Sequence, residues 1–167
     1  MKRGAIAPSR RAVVVVSGIP GAGKSTIAAA MARHFERGVH LEADALQRFI
    51  VSGGLWPDGR PEAEAARQLR LRGRNAALLA DSFFDAGFTV VIDDVVIGSR
   101  LAELRGDLRS QPLYFVLLVP SLETLRERNA GRPDKDVFET WKHLDAVMRS
   151  ETERIGMWLD SSQQRPE

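Results

Sequence analysis

Cysteine is absent from the chain. That excludes disulfides, thiol nucleophiles and zinc–thiolate centres, and it fits a reducing, cytoplasmic setting. Histidine is scarce: His34, His40 and His143 stand at no metal-ligand spacing, so no histidine-based metal centre is expected. No apolar run reaches the roughly 18 residues that a membrane-spanning helix needs. The first residues, MKRGAIAPSRR, are basic but hold no apolar block of signal-peptide length before Pro8. A large excess of one charge is also missing. The net charge of +2 over 167 residues is too small for a polycation that coats nucleic acid, so nucleic acid is not the expected partner.

What remains is an ordinary globular composition, 44% hydrophobic and 28% charged, long enough for one domain with a real core. Apolar runs of strand length alternate with helical spacing. Strands are expected at 13–16, 39–43, 88–92, 113–119 and 157–159. Helices are expected at 24–37, 44–51, 62–86, 99–108, 121–129 and 136–155. Asp44 is placed to cap the second helix, and Asp136 with Glu139 to form a capping box for the last. The long third helix should pack through Ala66, Leu69, Gly73, Ala76, Ala80 and Phe83. This alternation predicts a single α/β domain over 12–160, with a five-stranded parallel sheet between two helical layers. Residues 1–11 and 161–167 read as flexible tails. Ligands of such sheets bind beyond the carboxyl ends of the strands.

At the first of those ends stands Gly18-Ile-Pro-Gly-Ala-Gly-Lys-Ser25, which fits the phosphate-loop pattern G-x-x-x-x-G-K-[ST]. A strand precedes it and a helix follows, as the pattern requires. Glycine lets successive backbone N–H groups turn inward into an anion nest, and the helix points its positive end at the same place. Gly18, Pro20, Gly21, Ala22, Gly23, Lys24, Ser25 and Thr26 are therefore the expected ATP-binding set. Lys24 carries charge to the β- and γ-phosphates, and the Ser25 hydroxyl can ligate Mg²⁺. The chain has neither an N-K-x-D segment nor a glycine three residues after Asp93 or Asp94, which argues against a GTPase; its asparagines are Asn75 and Asn129.

Further strand ends supply carboxylates. The second strand is expected beside the first, so Asp44 at its end would face the γ-phosphate and can take a proton from an attacking hydroxyl; Glu42 is a second candidate for that role. Asp93 and Asp94, after the third, are candidates for magnesium or substrate contact, either one serving the metal. Arg67, Arg70 and Arg74 share a face of the long helix and can form a substrate wall, or simply a solvated basic face. Arg48 and Trp56 are further acceptor-side candidates.

The motifs GIPGAGKS, Leu41-Glu-Ala-Asp44, VVIDDVV and Arg128-Asn-Ala-Gly-Arg132 occur in this order. With them the chain resembles small P-loop kinases, nearest the chloramphenicol-phosphotransferase-like group beside gluconate and shikimate kinases. The resemblance implies a nucleoside-monophosphate-kinase-like three-layer fold with a short lid. It also implies ATP and Mg²⁺ as cofactors and a small-molecule hydroxyl acceptor. The R-x-x-G-R pattern is similar to the lid of adenylate-kinase-like enzymes, which casts Arg128 and Arg132 as catalytic arginines over the transferring phosphoryl group, with Arg128 also touching the nucleotide. The catalytic set is then Lys24, Asp44, Arg128 and Arg132. Two rival functions fit the same motifs: a kinase of nucleotides, sugar-nucleotides or RNA ends, and a regulatory ATPase that signals through a partner.

Overall fold

The computed structural model describes residues 11–56, 62–130 and 141–163. The expected capping box at Asp136 and Glu139 lies outside them. Five strands form one sheet: β1 (Val13–Ser17), β2 (Gly38–Glu42), β3 (Thr89–Asp93), β4 (Leu113–Leu118) and β5 (Met157–Leu159). Their order is β2-β3-β1-β4-β5, and every pairing is parallel. The helices are α1 (Lys24–Arg33), α2 (Ala43–Arg48), α3 (Ala63–Asp85), α4 (Ser99–Asp107), α5 (Leu122–Ala130) and α6 (His143–Glu151).

The β-branched runs explain the centre. Val13 to Val16 and Val90 to Ile92 are at most 7% exposed, so both faces of β1 and β3 are covered by helices. Each such side chain contributes about 1.5–3 kcal/mol through its burial. The chain leaves β1 for one side of the sheet and later returns to its other side with β4. The switch in direction therefore falls at the carboxyl end of β1, where the phosphate-loop motif begins.

Sequence reading placed β2 beside β1; in the structure β3 lies between them. The consequence is chemical, because Asp93, not Glu42, becomes the carboxylate next to β1, in register with Val16. Helix α1 is also shorter than expected. It closes at His34 and Phe35, whose N–H groups donate to Met31 and Ala32, and the chain turns through 34–37 into β2. Helix α2 stops at Arg48, short of residue 51.

Helix α3 is present as expected but rotated. Its buried positions are Ala65, Gln68, Arg72, Gly73, Ala76, Ala77, Ala80, Asp81 and Phe84, whereas Ala66 and Phe83 are exposed. It is clasped to α4 by Arg70, whose Nη2 donates to Asp107 Oδ1 at 2.9 Å and whose Nη1 donates to Asp107 Oδ2. That bond holds the Asp107 carboxyl below its ordinary value of 3.8. A depressed carboxyl contributes stability above its unfolded pKa and loses it as the pH falls through the folded one. Asp107→Asn should thus lower stability at pH 7 by at most about 1 kcal/mol, given the exposure of the pair. Thermal melts of the two proteins should converge below pH 3.8.

At the C-terminal end, 161–163 is no loose tail. Ser161 is buried and Ser162 Oγ accepts the Ser121 N–H at 2.8 Å. Among the described residues no helix is long and apolar enough to cross a membrane.

Candidate active site

The loop after β1 has the geometry its glycines allow. Gly18 adopts φ +146°, and a Cβ there would stand 2.7 Å from the Leu118 carbonyl oxygen. Only glycine lets the loop leave β1 this close to β4. Gly23 sits at the N-cap of α1 with φ 94°, and no side chain caps the helix. The first-turn N–H groups at Lys24, Ser25 and Thr26 accordingly have no intrahelical acceptor, an arrangement that suits an anion. Ala22 N–H donates to Ile19 O at 3.1 Å, which folds the loop on itself. Lys24 Nζ donates to Ile19 O at 3.3 Å. Burial pushes the Lys24 ammonium below the ordinary lysine value, and Asp93, Asp94 and Asp44, in that order, pull it back up. These carboxylates therefore share one electrostatic field with the phosphate-loop lysine.

Ser17, the last residue of β1, locks the third strand end to the loop. Its Oγ donates to Val96 O and accepts from Val96 N–H, both at 2.9 Å. Asp93 and Asp94, each 4% exposed, are thereby held at the loop's edge. Their surroundings differ. Asp94 Oδ1 accepts from Arg72 Nη2 at 2.6 Å and from Val95 N–H at 2.7 Å, and Oδ2 accepts from Arg100 Nη2 at 3.1 Å. Both of its oxygens are engaged. Asp93 contributes the strongest attraction on Lys24, and its Oδ2 meets His40 Nε2 at 3.4 Å.

Asp44 is not the helix cap. Glu42 occupies the N-cap of α2, and no side chain bonds the helix end. Asp44 lies in the first turn, exposed, with Oδ1 accepting from Arg72 Nη1 at 2.8 Å. Glu42 is engaged by Arg48 at 3.8 Å instead. The segment that follows α2 is stapled by two glutamines. Gln47 Nε2 donates to Leu55 O at 2.9 Å and to Gln68 Oε1 at 3.1 Å, while Gln68 Nε2 donates to Gly53 O at 2.8 Å. Trp56 lies at the end of this segment, 53% exposed.

The other arginines part company. Arg67 pairs with Glu64, Arg70 with Asp107 and Glu103, and Arg74 is exposed. Between a substrate wall and a solvated basic face, the contacts show Arg67 occupied along α3 and Arg70 toward α4. The arginine that does reach the carboxylates is Arg72, which sequence reasoning missed, along with Arg100 and His40. The spacing Gln68–Arg72–Ala76–Ala80 was the available signal, since it puts Arg72 on an inward row of α3. Arg128 extends from α5 to both the loop and the C-terminal segment. Its Nη2 donates to Ser161 O at 2.7 Å and its Nη1 to Ala22 O at 3.4 Å. Arg132 lies outside the described residues.

These features fit a magnesium–nucleotide complex: an uncapped glycine-bounded helix start, the exposed Ser25 beside Lys24, and a buried carboxylate at the adjoining strand end. Comparisons with known proteins bear on the fold. The chain has the fold of a sugar kinase from Janibacter sp., at 24% identity, covering 94% of this chain and 88% of that one with a TM-score of 0.65. It is similar to a gluconokinase from Sinorhizobium meliloti 1021, at 22% identity, 93% and 86% coverage and a TM-score of 0.64. It is also similar to the APS kinase of Mycobacterium tuberculosis in complex with AMPPNP and APS, at 19% identity, 94% and 92% coverage and a TM-score of 0.63. No curated protein matches the sequence. A family model described as an AAA domain matches residues 13–153, the whole stretch from β1 to just past α6, and the chain belongs to that P-loop family.

Proposed function

We propose that the protein is an ATP–Mg²⁺-dependent phosphotransferase that moves the γ-phosphoryl group to a hydroxyl of a small molecule. The observation that carries this reading is the gathering of carboxylates beside the phosphate loop at the carboxyl end of the sheet: Asp93 pairs in register with Val16 of β1, and Arg72 joins Asp94 to the exposed Asp44. It unites a phosphate cradle with an exposed acid on a neighbouring element. Such an arrangement suits transfer between two bound molecules.

In this reading the amides of 18–26 and Lys24 hold the β- and γ-phosphates. Ser25 and Asp93 would hold Mg²⁺, which when bound draws charge from the bridging and terminal phosphate oxygens. Asp93 suits that role better than Asp94, whose two oxygens are already taken by Arg72, Arg100 and a backbone amide. Asp44 accepts the proton as the acceptor oxygen bonds to the γ-phosphorus; the bond to the β-phosphate oxygen breaks and ADP leaves. Arg128 ties the loop to the C-terminal segment beside the nucleotide. A role for Arg132 on the transferring group rests on the lid resemblance of its R-x-x-G-R motif alone.

An acceptor that carries its own phosphate would call on Arg67, Arg70 and Arg74; of these Arg67 and Arg70 are paired with acids, and Arg74 is exposed on α3. An uncharged hydroxyl compound, antibiotic- or sugar-like, is favoured for that reason. The test is incubation with γ-labelled ATP, Mg²⁺ and a panel of sugars, hydroxylated antibiotics, nucleosides and RNA ends. A labelled small-molecule phosphomonoester is expected. Label confined to inorganic phosphate, with nucleotide-controlled binding of another protein, would favour a regulatory ATPase instead.

A further inference from the structure

Of the four arginines on α3, Arg72 alone is buried, 5% exposed. Its Nη1 and Nη2 reach two different carboxylates, Asp44 on α2 and Asp94 after β3. We propose that Arg72 is a positioning residue for the transfer reaction, holding the Asp44 carboxylate against the fixed carboxylate of Asp94. This rests on the reading of Asp44 as the group that receives the acceptor's proton.

Asp44 needs such an anchor. Its side chain is 55% exposed and sits on a helix of six residues with no side-chain cap. Nothing local to α2 fixes its χ angles. Arg72, by contrast, is held at the carboxyl end of β3, an interior strand of the sheet. Asp94 is bonded by the Val95 amide and by Arg100, and Arg100 Nη1 donates back to Val95 O. A continuous set of charge-assisted bonds therefore runs from β3 through Asp94 and Arg72 to Asp44.

Charge compensation alone does not account for the arrangement. Two carboxylates face two guanidiniums, so the quartet is balanced, yet Arg72 Nε is buried without a hydrogen-bond partner among the described residues. Burying a guanidinium with an orphaned N–H is a poor way to gain stability. What the geometry does supply is direction: a planar fork with one arm on each acid leaves Asp44 a narrow range of orientations. The glutamine bridge one turn earlier acts in parallel, because Gln68 holds the 53–55 segment from the same row of α3.

The test is a double-mutant cycle on the full chain with Asp44→Asn, Arg72→Met and both together, plus Arg72→Lys. Turnover is read as labelled phosphate released from γ-labelled ATP–Mg²⁺ with water as the acceptor. Nucleotide affinity is read by titration with a fluorescent ATP analogue, and folding by thermal melts. Arg72→Met should lower kcat by about 100-fold and leave the KM for ATP within about two-fold, the pattern of a misplaced catalytic group. In the Asp44→Asn background the same change should add less than about two-fold, because both variants break one unit. Arg72→Lys, which keeps the charge but not the fork, should recover part of the rate.

Losses that multiply across the cycle, or a raised KM with unchanged kcat, would overturn the proposal and make Arg72 a direct ligand of substrate. Parallel recovery of melting temperature and rate by Arg72→Lys would overturn it in favour of a purely structural role. If Asp44→Asn slows turnover while Arg72→Met does not, the proposal fails and the reading of Asp44 stands. If Asp44→Asn itself leaves turnover intact, it is that reading which fails.

Discussion

Replacing Lys24 with methionine is expected to reduce phosphoryl transfer by about 100- to 1,000-fold, the loss typical of removing one fixed donor to a developing charge. The same change should leave the melting temperature at neutral pH unchanged or higher. Burial is the dominant influence on Lys24 and outweighs the attraction of Asp93, Asp94 and Asp44. The folded ammonium therefore has a pKa below its unfolded value of 10.5. Between those two values the unfolded chain binds more protons than the folded one, so folding stability rises with pH across that window. Below the window the charged lysine is a burden on the fold, and methionine lifts it. Wild type should gain on the variant as the pH rises toward 10.5. Melts across neutral to alkaline pH, set beside transfer rates, check both halves. A variant that unfolds would instead give Lys24 a structural role.

Asp44→Asn is expected to spare nucleotide binding and to lower transfer by about 100- to 10,000-fold, the range that a positioned general base supplies. Asparagine keeps the shape and can still accept from Arg72 through its carbonyl oxygen, so the Arg72–Asp94 arm stays in place. What is lost is the capacity to take a proton. Retained transfer would move the role to Glu42.

The phosphate loop was legible in the sequence because its chemistry is local. Eight consecutive residues carry the turn, the helix start, the lysine and the hydroxyl, and no distant partner is needed to recognise them. The strands of the centre were legible for a similar reason, as Val13 to Val16 and Val90 to Ile92 leave little choice of structure. Strand order was not. Whether β2 or β3 lies beside β1 depends on how α3 crosses the sheet, and no residue of either strand encodes that. The error mattered, because it hid the closeness of Asp93 to β1.

Arg72 escaped notice through helix phase. Alanines at 65, 66, 76, 77 and 80 satisfy more than one inward row, so the apolar pattern of α3 does not fix its rotation. The face that is buried carries Gln68, Arg72 and Asp81, which a hydrophobicity rule assigns to solvent. Each is buried with a partner: Gln68 with Gln47, Arg72 with two aspartates, and Asp81 with Ser110. Those partners come from other elements and are invisible to any local window. The hydrophobicity rule fails where buried polar groups are paired across elements.

The most direct measurement is a crystal structure with Mg²⁺ and a non-hydrolysable ATP analogue. The account predicts the β- and γ-phosphates on the amides of 18–26, with Lys24 Nζ turned from Ile19 O toward them and the Asp44 carboxylate facing the γ-phosphorus from the side opposite the leaving oxygen. A triphosphate bound elsewhere, or a γ-phosphate with Asp44 pointing away from it across the Arg72 arm, would contradict it.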